Sequence, residues 1–185
     1  MKNKMILVTG WYATGKSTFA ERLAERLSVP FFNKDVINET IGDALGAETC
    51  LEIYNKKGGN PLTFSILAHI AERFLQVGEI CILESNFYKP EIEKIKNLLE
   101  KYDYKCLTYM FKGDIDVLGE RFISRGRERH WVHGKPNLDD MKRSIEHRER
   151  MEVEIGQMVY VDATSFEKID YEALFTNAKK FIDNG

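Results

Sequence analysis

The sequence predicts a three-layer α/β domain built on a parallel sheet. Two observations carry this. Short apolar runs alternate with longer amphipathic segments along the whole 185-residue chain, the pattern of repeated βαβ units with right-handed crossovers. The first of these units is joined by a glycine-bearing turn, Gly10 to Ser17.

Taken in order, strands are expected at 5–8, 30–32, 80–83, 105–111 and 158–161. A helix over 16–27 places Phe19, Leu23 and Leu27 at i, i+4 and i+8, backed by Ala20 and Ala24. A second helix is expected over 36–44. A third, over 61–77, starts with Pro61 at a first-turn position after Asn60, a suitable cap. Helices over 91–102 and 115–124 follow the third and fourth strands, the latter after Asp114 as cap. The highly charged stretch 138–155 has a sparse apolar stripe of Met141, Ile145 and Met151. The last helix, 171–182, sets Leu174, Phe175, Ala178 and Phe181 on one face. Two stretches read as insertions on this frame, about 45–60 and 126–137, within one domain spanning 1–185.

Composition narrows the function. Lys and Arg number 27 against 29 Asp and Glu, with 43% apolar residues, so no global field recruits nucleic acid or an anionic membrane. Cys81 and Cys106 sit in apolar runs and read as core residues; with Cys50 they form no CxxC pair, a usage that fits a reducing, cytoplasmic setting. The apolar stretch after the basic start, 5–8, is too short for a signal peptide or a membrane helix.

Gly10-Trp11-Tyr12-Ala13-Thr14-Gly15-Lys16-Ser17 satisfies G-x-x-x-x-G-K-[ST] and lies between a strand and a helix, the context that the motif's mechanism requires. Gly10 and Gly15 admit backbone conformations that a Cβ would block, and the N–H groups of Tyr12, Ala13 and Thr14 with the helix N-terminus form an anion cradle. Lys16 reaches the β- and γ-phosphates, Ser17 holds Mg²⁺, and Thr18 contacts the α-phosphate. The expected ligand is ATP with Mg²⁺. A GTPase is disfavoured: Asn33-Lys34-Asp35-Val36 and Asn55-Lys56-Lys57-Gly58 lack the final Asp of a guanine-reading segment, and the D-x-x-G strings at Asp43 and Asp116 fall inside helices.

Four arginines, Arg121, Arg125, Arg127 and Arg129, precede a loop holding Trp131, His133 and Gly134. Guanidinium groups that close over a transferring phosphoryl group stabilise its charge and exclude water. Arg121 and Arg125 share a helix face. The alternative is a solvated basic helix end, which also suits the macrodipole.

The phosphate loop, Lys34-Asp35 after strand two, and the R-x-x-x-R helix leading into a basic lid together resemble the small P-loop kinases. Within that group the likeness is to chloramphenicol-phosphotransferase-like, shikimate- and gluconate-kinase-like enzymes. The resemblance implies a P-loop NTPase fold with a five-stranded sheet in the order 2-3-1-4-5. It implies that Asp35 orients or deprotonates the acceptor hydroxyl, unless it merely caps the second helix. It places Glu84 at the Mg²⁺ water shell and Asp162-Ala163-Thr164 around the adenine, with Arg121 stacked on that ring.

The acceptor side holds no arginine between Arg26 and Arg73, and the turn after strand three reads Glu84-Ser85-Asn86-Phe87-Tyr88-Lys89-Pro90. Both features depart from nucleoside monophosphate kinases, although Lys34, Lys56 and Lys57 remain as phosphate partners. Asp35, Asn38, Asn86, Phe87 and Tyr88 suit a small neutral or amphipathic hydroxyl compound; Phe87 serves equally well as a core residue. Two other readings stay open: a nucleotide-dependent regulatory module, and a polynucleotide kinase with a basic track from Lys142 to Arg150. Against the second, Glu146, Glu149 and Glu152 pair with those cations.

Overall fold

The computed structural model describes residues 3–57, 61–125, 129–135, 137–149 and 154–184. Its five strands are β1 Lys4–Gly10, β2 Phe31–Asn33, β3 Cys81–Glu84, β4 Lys105–Lys112 and β5 Gln157–Asp162, all parallel and in the order β2-β3-β1-β4-β5. The helices are α1 Lys16–Leu27, α2 Lys34–Leu45, α3 Ala47–Lys57, α4 Pro61–Val77, α5 Lys89–Lys101, α6 Ile115–Arg125, α7 Leu138–Glu149 and α8 Tyr171–Asp183. The expected sheet order is therefore observed.

Strand β1 lies at the centre, buried along its full length, and its side chains alternate between two cores as strand geometry requires. Met5 and Leu7 join Leu67, Ala71 and Leu75 of α4 and Ile92, Ile95 and Leu99 of α5. Ile6 and Val8 join Phe19, Ala20 and Leu23 of α1 and Phe175 and Ala178 of α8. Both faces are thus covered, as a parallel sheet demands. In the second core Phe19 stacks on Phe175 at 5.5 Å and meets Tyr109 edge-on at 5.1 Å. Truncating so enclosed a ring costs about 3–5 kcal/mol.

Local chemistry sets the helix starts. Asp114 Oδ1 accepts from the backbone of Asp116 and Val117 and caps α6, as expected. Asn33 Oδ1 accepts from the backbone of Asp35 and Val36, so Asn33 caps α2 and Asp35 does not. Buried Lys4 donates to the carbonyls of Ile182 and Asn184, tying the end of α8 to the first strand.

Two stretches differ from expectation. Much of the stretch read as an insertion after residue 45 is helix α3, whose own Cys50 is buried. Helix α7 is described to Glu149 rather than to 155. Ile155 is instead buried core, and its carbonyl accepts from Thr108. The proposed cap Asn60, the stripe residue Met151, and Gly126, Arg127 and Pro136 of the lid stretch lie outside the described residues. Among the described residues, no helix is long and apolar enough to cross a membrane.

Candidate active site

The parallel topology brings the carboxyl ends of all five strands to one edge, where open α/β sheets bind ligands. At β1 the chain leaves the sheet through Gly10, whose φ is 135°. A Cβ there would come within 2.0 Å of the Phe111 carbonyl oxygen, the same oxygen that accepts from Trp11 N–H at 2.9 Å. The loop is thereby locked to β4. Ala13 adopts φ 56°, and Gly15, at φ 76°, precedes α1 with no side-chain cap. The helix start therefore presents free N–H groups, the arrangement that favours an anion.

Inside the loop, Thr14 donates to the Trp11 carbonyl at 3.0 Å. Lys16 Nζ donates to the same oxygen at 3.2 Å and lies 3.7 Å from Glu84 Oε1. Ser17 donates its hydroxyl to Glu84 Oε2 at 3.0 Å. Thr18, next on α1, is exposed.

Glu84 reaches this position because β3 pairs with β1, Val8 opposite Glu84. It is 3% exposed. Burial pushes its carboxyl above the ordinary range; Asp35 adds to the rise, while Lys16 and Ser17 oppose it. Asp35 lies in the first turn of α2, just past β2, the strand beside β3. Asn33 pairs with Glu84 across β2 and β3.

The acceptor-side residues fare differently. Among the described residues, Asn86 Oδ1 is buried without a hydrogen-bond partner, as is Trp11 Nε1; such groups are costly and point to a ligand or an ordered water. Phe87, for which the sequence left acceptor-facing and core readings open, is packed in the first core. The neighbouring aromatic that reaches solvent is Tyr88. Asn38 is buried and accepts from Thr63, joining α2 to α4. Lys34 is occupied by Glu91 at 2.7 Å and lies over the rings of Phe64 and Tyr88.

On the opposite side, Arg121 donates to the carbonyls of Ala163 and Thr164 at 2.7 Å each, with its guanidinium 4.0 Å from the Phe166 ring centroid. Asp114 N–H donates to Thr164 Oγ1 at 2.8 Å. Hydrogen bonds from the Thr164 hydroxyl and backbone N–H hold Asp162 below the ordinary carboxylate range. Phe166 was not foreseen, yet its ring touches the phosphate loop: a Cβ on Gly15 would meet it at 3.2 Å.

Of the lid arginines, Arg125 is exposed at the end of α6. Arg129 lies over Phe122 at 5.0 Å, and the Phe122 ring is 5.4 Å from that of Tyr12 in the phosphate loop. Tyr12 also meets Ser144 of α7 at 3.2 Å. Burial pushes the thiols of Cys81 and Cys106 up to about 12, which makes them inert core groups rather than nucleophiles.

Hydroxyl and carboxylate oxygens at Ser17 and Glu84 are the hard donors that Mg²⁺ accepts. The loop's N–H groups and Lys16 suit the phosphates that accompany the ion. The residues present therefore fit Mg²⁺ with a nucleoside triphosphate.

These features define a P-loop kinase-type site. The AAA domain family profile matches residues 5–149, and the chain belongs to that family. Among solved structures, a protein of Chloroflexus aurantiacus described as a candidate kinase is 28% identical with TM-score 0.78, covering 100% of this chain and 98% of its own. A shikimate kinase of Bacteroides thetaiotaomicron (18% identity, TM-score 0.61, coverage 97% and 98%) and a gluconokinase of Sinorhizobium meliloti (18%, 0.58, 98% and 93%) share the fold. No curated protein matches the chain significantly.

Proposed function

We propose that this chain is an ATP-dependent phosphotransferase that moves the γ-phosphoryl group to a hydroxyl of a small molecule in the cytoplasm. The observation that carries the reading is the convergence of Lys16, Ser17 and buried Glu84 within hydrogen-bonding or ion-pair reach, with the Asp35 charge felt at the same centre.

Ser17 and Glu84 would hold Mg²⁺, which supplies positive charge beside the phosphates. Lys16 sits where its ammonium exchanges the Trp11 carbonyl and Glu84 for phosphate oxygens. Asp35 accepts the proton of the acceptor hydroxyl as the new O–P bond forms and the bond to the departing ADP breaks. Arg125 and Arg129 close over the transferring group from the lid. Gly10, Tyr12, Ala13, Thr14, Gly15 and Thr18 form the phosphate cradle, and Thr164 with Arg121 walls the adenine side.

For the acceptor, Asn86 Oδ1 offers an unpaired buried acceptor, while Lys34 is already neutralised by Glu91. That balance favours an uncharged hydroxyl compound over a phosphorylated one, and small molecules over nucleic acid. The deciding experiment is ATP turnover against a panel of neutral, anionic and nucleotide hydroxyl acceptors, with the product's mass recorded. Hydrolysis unaffected by every acceptor would leave only a nucleotide-binding regulatory module.

A further inference from the structure

Helix α2, which begins beside Asp35, is also the seat of the lid turn. Glu39, Gly42 and Asp43 stand at i, i+3 and i+4 and so share one helix face. The short 3-10 turn Trp131–His133, together with its N-cap His130, meets all three. His133 Nε2 donates to Glu39 Oε1 at 2.7 Å, and His130 Nε2 donates to Asp43 Oδ1 at 3.0 Å. Between these bonds Trp131 and Val132 lie so close to Gly42 that a Cβ there would come within 3.2 Å of each.

The two bonds are not equivalent. The His133 and Glu39 side chains are 12% and 34% exposed, whereas Asp43 is 69% exposed. Exposed ionic contacts contribute little, so Glu39 and His133 dominate the seat. His130 also shapes the turn itself, since its Nδ1 accepts from Val132 N–H at 3.3 Å. Immediately upstream, Arg129 rests on Phe122, which in turn contacts Tyr12 of the phosphate loop. One short segment is thus fixed at one end to the helix of Asp35 and at the other to the phosphate loop.

We propose that Glu39 and His133 are positioning residues. Their hydrogen bond seats the turn on α2, holds Arg129 over the phosphate loop, and ties the lid to the helix that presents Asp35. The effect on rate rests on the kinase reading; the seat itself does not, and the test separates them.

The full-length chain is compared with Glu39→Ala, Glu39→Gln and Gly42→Ala. Glu39→Ala should lower kcat by about tenfold or more, the scale of a mispositioned catalytic group, with the KM for ATP nearly unchanged. Glu39→Gln should recover most of the loss, because its carbonyl accepts from the same Nε2–H. Gly42→Ala separates positioning from stability. Alanine is the better helix former, so the melting temperature should hold or rise while kcat falls.

Seating is read independently from Trp131 fluorescence in a Trp11→Phe background. Glu39→Ala and Gly42→Ala should each shift the emission to the red as the indole leaves Gly42. Unchanged emission in both variants overturns the seat, whatever the turnover. Equal losses in Glu39→Ala and Glu39→Gln, or a kcat that only follows the melting temperature, overturns the positioning role. Absence of turnover in the parent chain with every acceptor overturns the kinase reading, and the emission measurement then decides the seat alone.

Discussion

Ser17 Oγ donates to Glu84 Oε2 across 3.0 Å, joining the first turn of α1 to the end of β3. These side chains are 67 positions apart in the chain. Only the pairing of β3 beside β1 brings them together, and it makes the proposed Mg²⁺ site a direct product of sheet order.

Proton linkage at Glu84 follows from its burial. The folded chain holds this carboxyl's proton more tightly than the unfolded chain does, because desolvation raises it above the ordinary value of about 4.3. The Glu84 contribution therefore favours the fold below the ordinary range, and it is lost as pH rises through the raised folded value. Mg²⁺ held at Glu84 would need the ionised form, so its binding should release a proton and weaken as pH falls through that same window. Melts of wild type and Glu84→Gln, with and without Mg²⁺ and ATP, from roughly pH 4.5 to 8 should show this linkage in the wild type alone. An identical Mg²⁺ response in both proteins would remove Glu84 from the metal site.

Lys16 compensates the same carboxylate. Lys16→Ala should abolish turnover and weaken ATP binding, since it removes the cation that meets the β- and γ-phosphates. The mutation is not neutral for folding, because it strips a partner from a buried charge. A loss of about 1–3 kcal/mol is expected at neutral pH, recovered in part at lower pH as Glu84 takes up a proton. Wild-type turnover in this variant would refute the central reading.

The sheet, the phosphate loop and Glu84 were legible in the sequence because each is encoded locally. Apolar runs mark β1, β3 and β4, the glycine spacing marks the loop, and Glu84 is simply the first charge after an apolar strand. Phe166, Ser144 and the Glu39 to His133 seat were not legible. They act through contacts between segments far apart in the chain, and their spacing carries no periodic signal. Phe87 stayed open between core and acceptor for another reason: in the short turn 85–88 no repeat fixes which aromatic points inward, and packing against α4 and α5 claimed Phe87 while Tyr88 stayed out. Asp35 was ambiguous as a cap because Asn33, two positions earlier, is an equally good one.

The arginines should separate by position. Arg125 is exposed at the end of α6, and Arg129 is held near the phosphate loop through Phe122. Replacing either with Ala should lower kcat far more than ATP affinity, by up to about 10³-fold for a group acting on transition-state charge. Arg121→Ala should behave differently. It removes two hydrogen bonds to the carbonyls of Ala163 and Thr164, so ATP affinity and melting temperature should both fall. Kinetics paired with melts for the three variants test this, and equal small losses at all three would leave only a solvated basic helix end.

Asp35 and Asn33 divide the labour at the start of α2, which makes the acceptor carboxylate testable without disturbing the helix. Asn33 Oδ1 takes the backbone N–H groups of Asp35 and Val36, so Asn33→Ala should cost about 1 kcal/mol of stability through the lost cap. Asp35 receives no cap bond on its carboxylate, and Asp35→Asn removes only its charge and its ability to accept a proton. Any loss of helix-dipole stabilisation is below about 1 kcal/mol. Stability should thus hardly change, while acceptor phosphorylation falls by roughly 10²–10⁴-fold, the range for a missing general base. ATP affinity should hold, because the phosphate cradle is built from β1 and α1. Removing the Asp35 charge should also let Glu84 ionise more readily, since that charge is one of the influences raising it. The acidic limb of Mg²⁺ binding should accordingly move to lower pH in Asp35→Asn. An active Asp35→Asn enzyme with an unmoved Mg²⁺ profile would place Asp35 outside the centre and transfer the base role to Glu84.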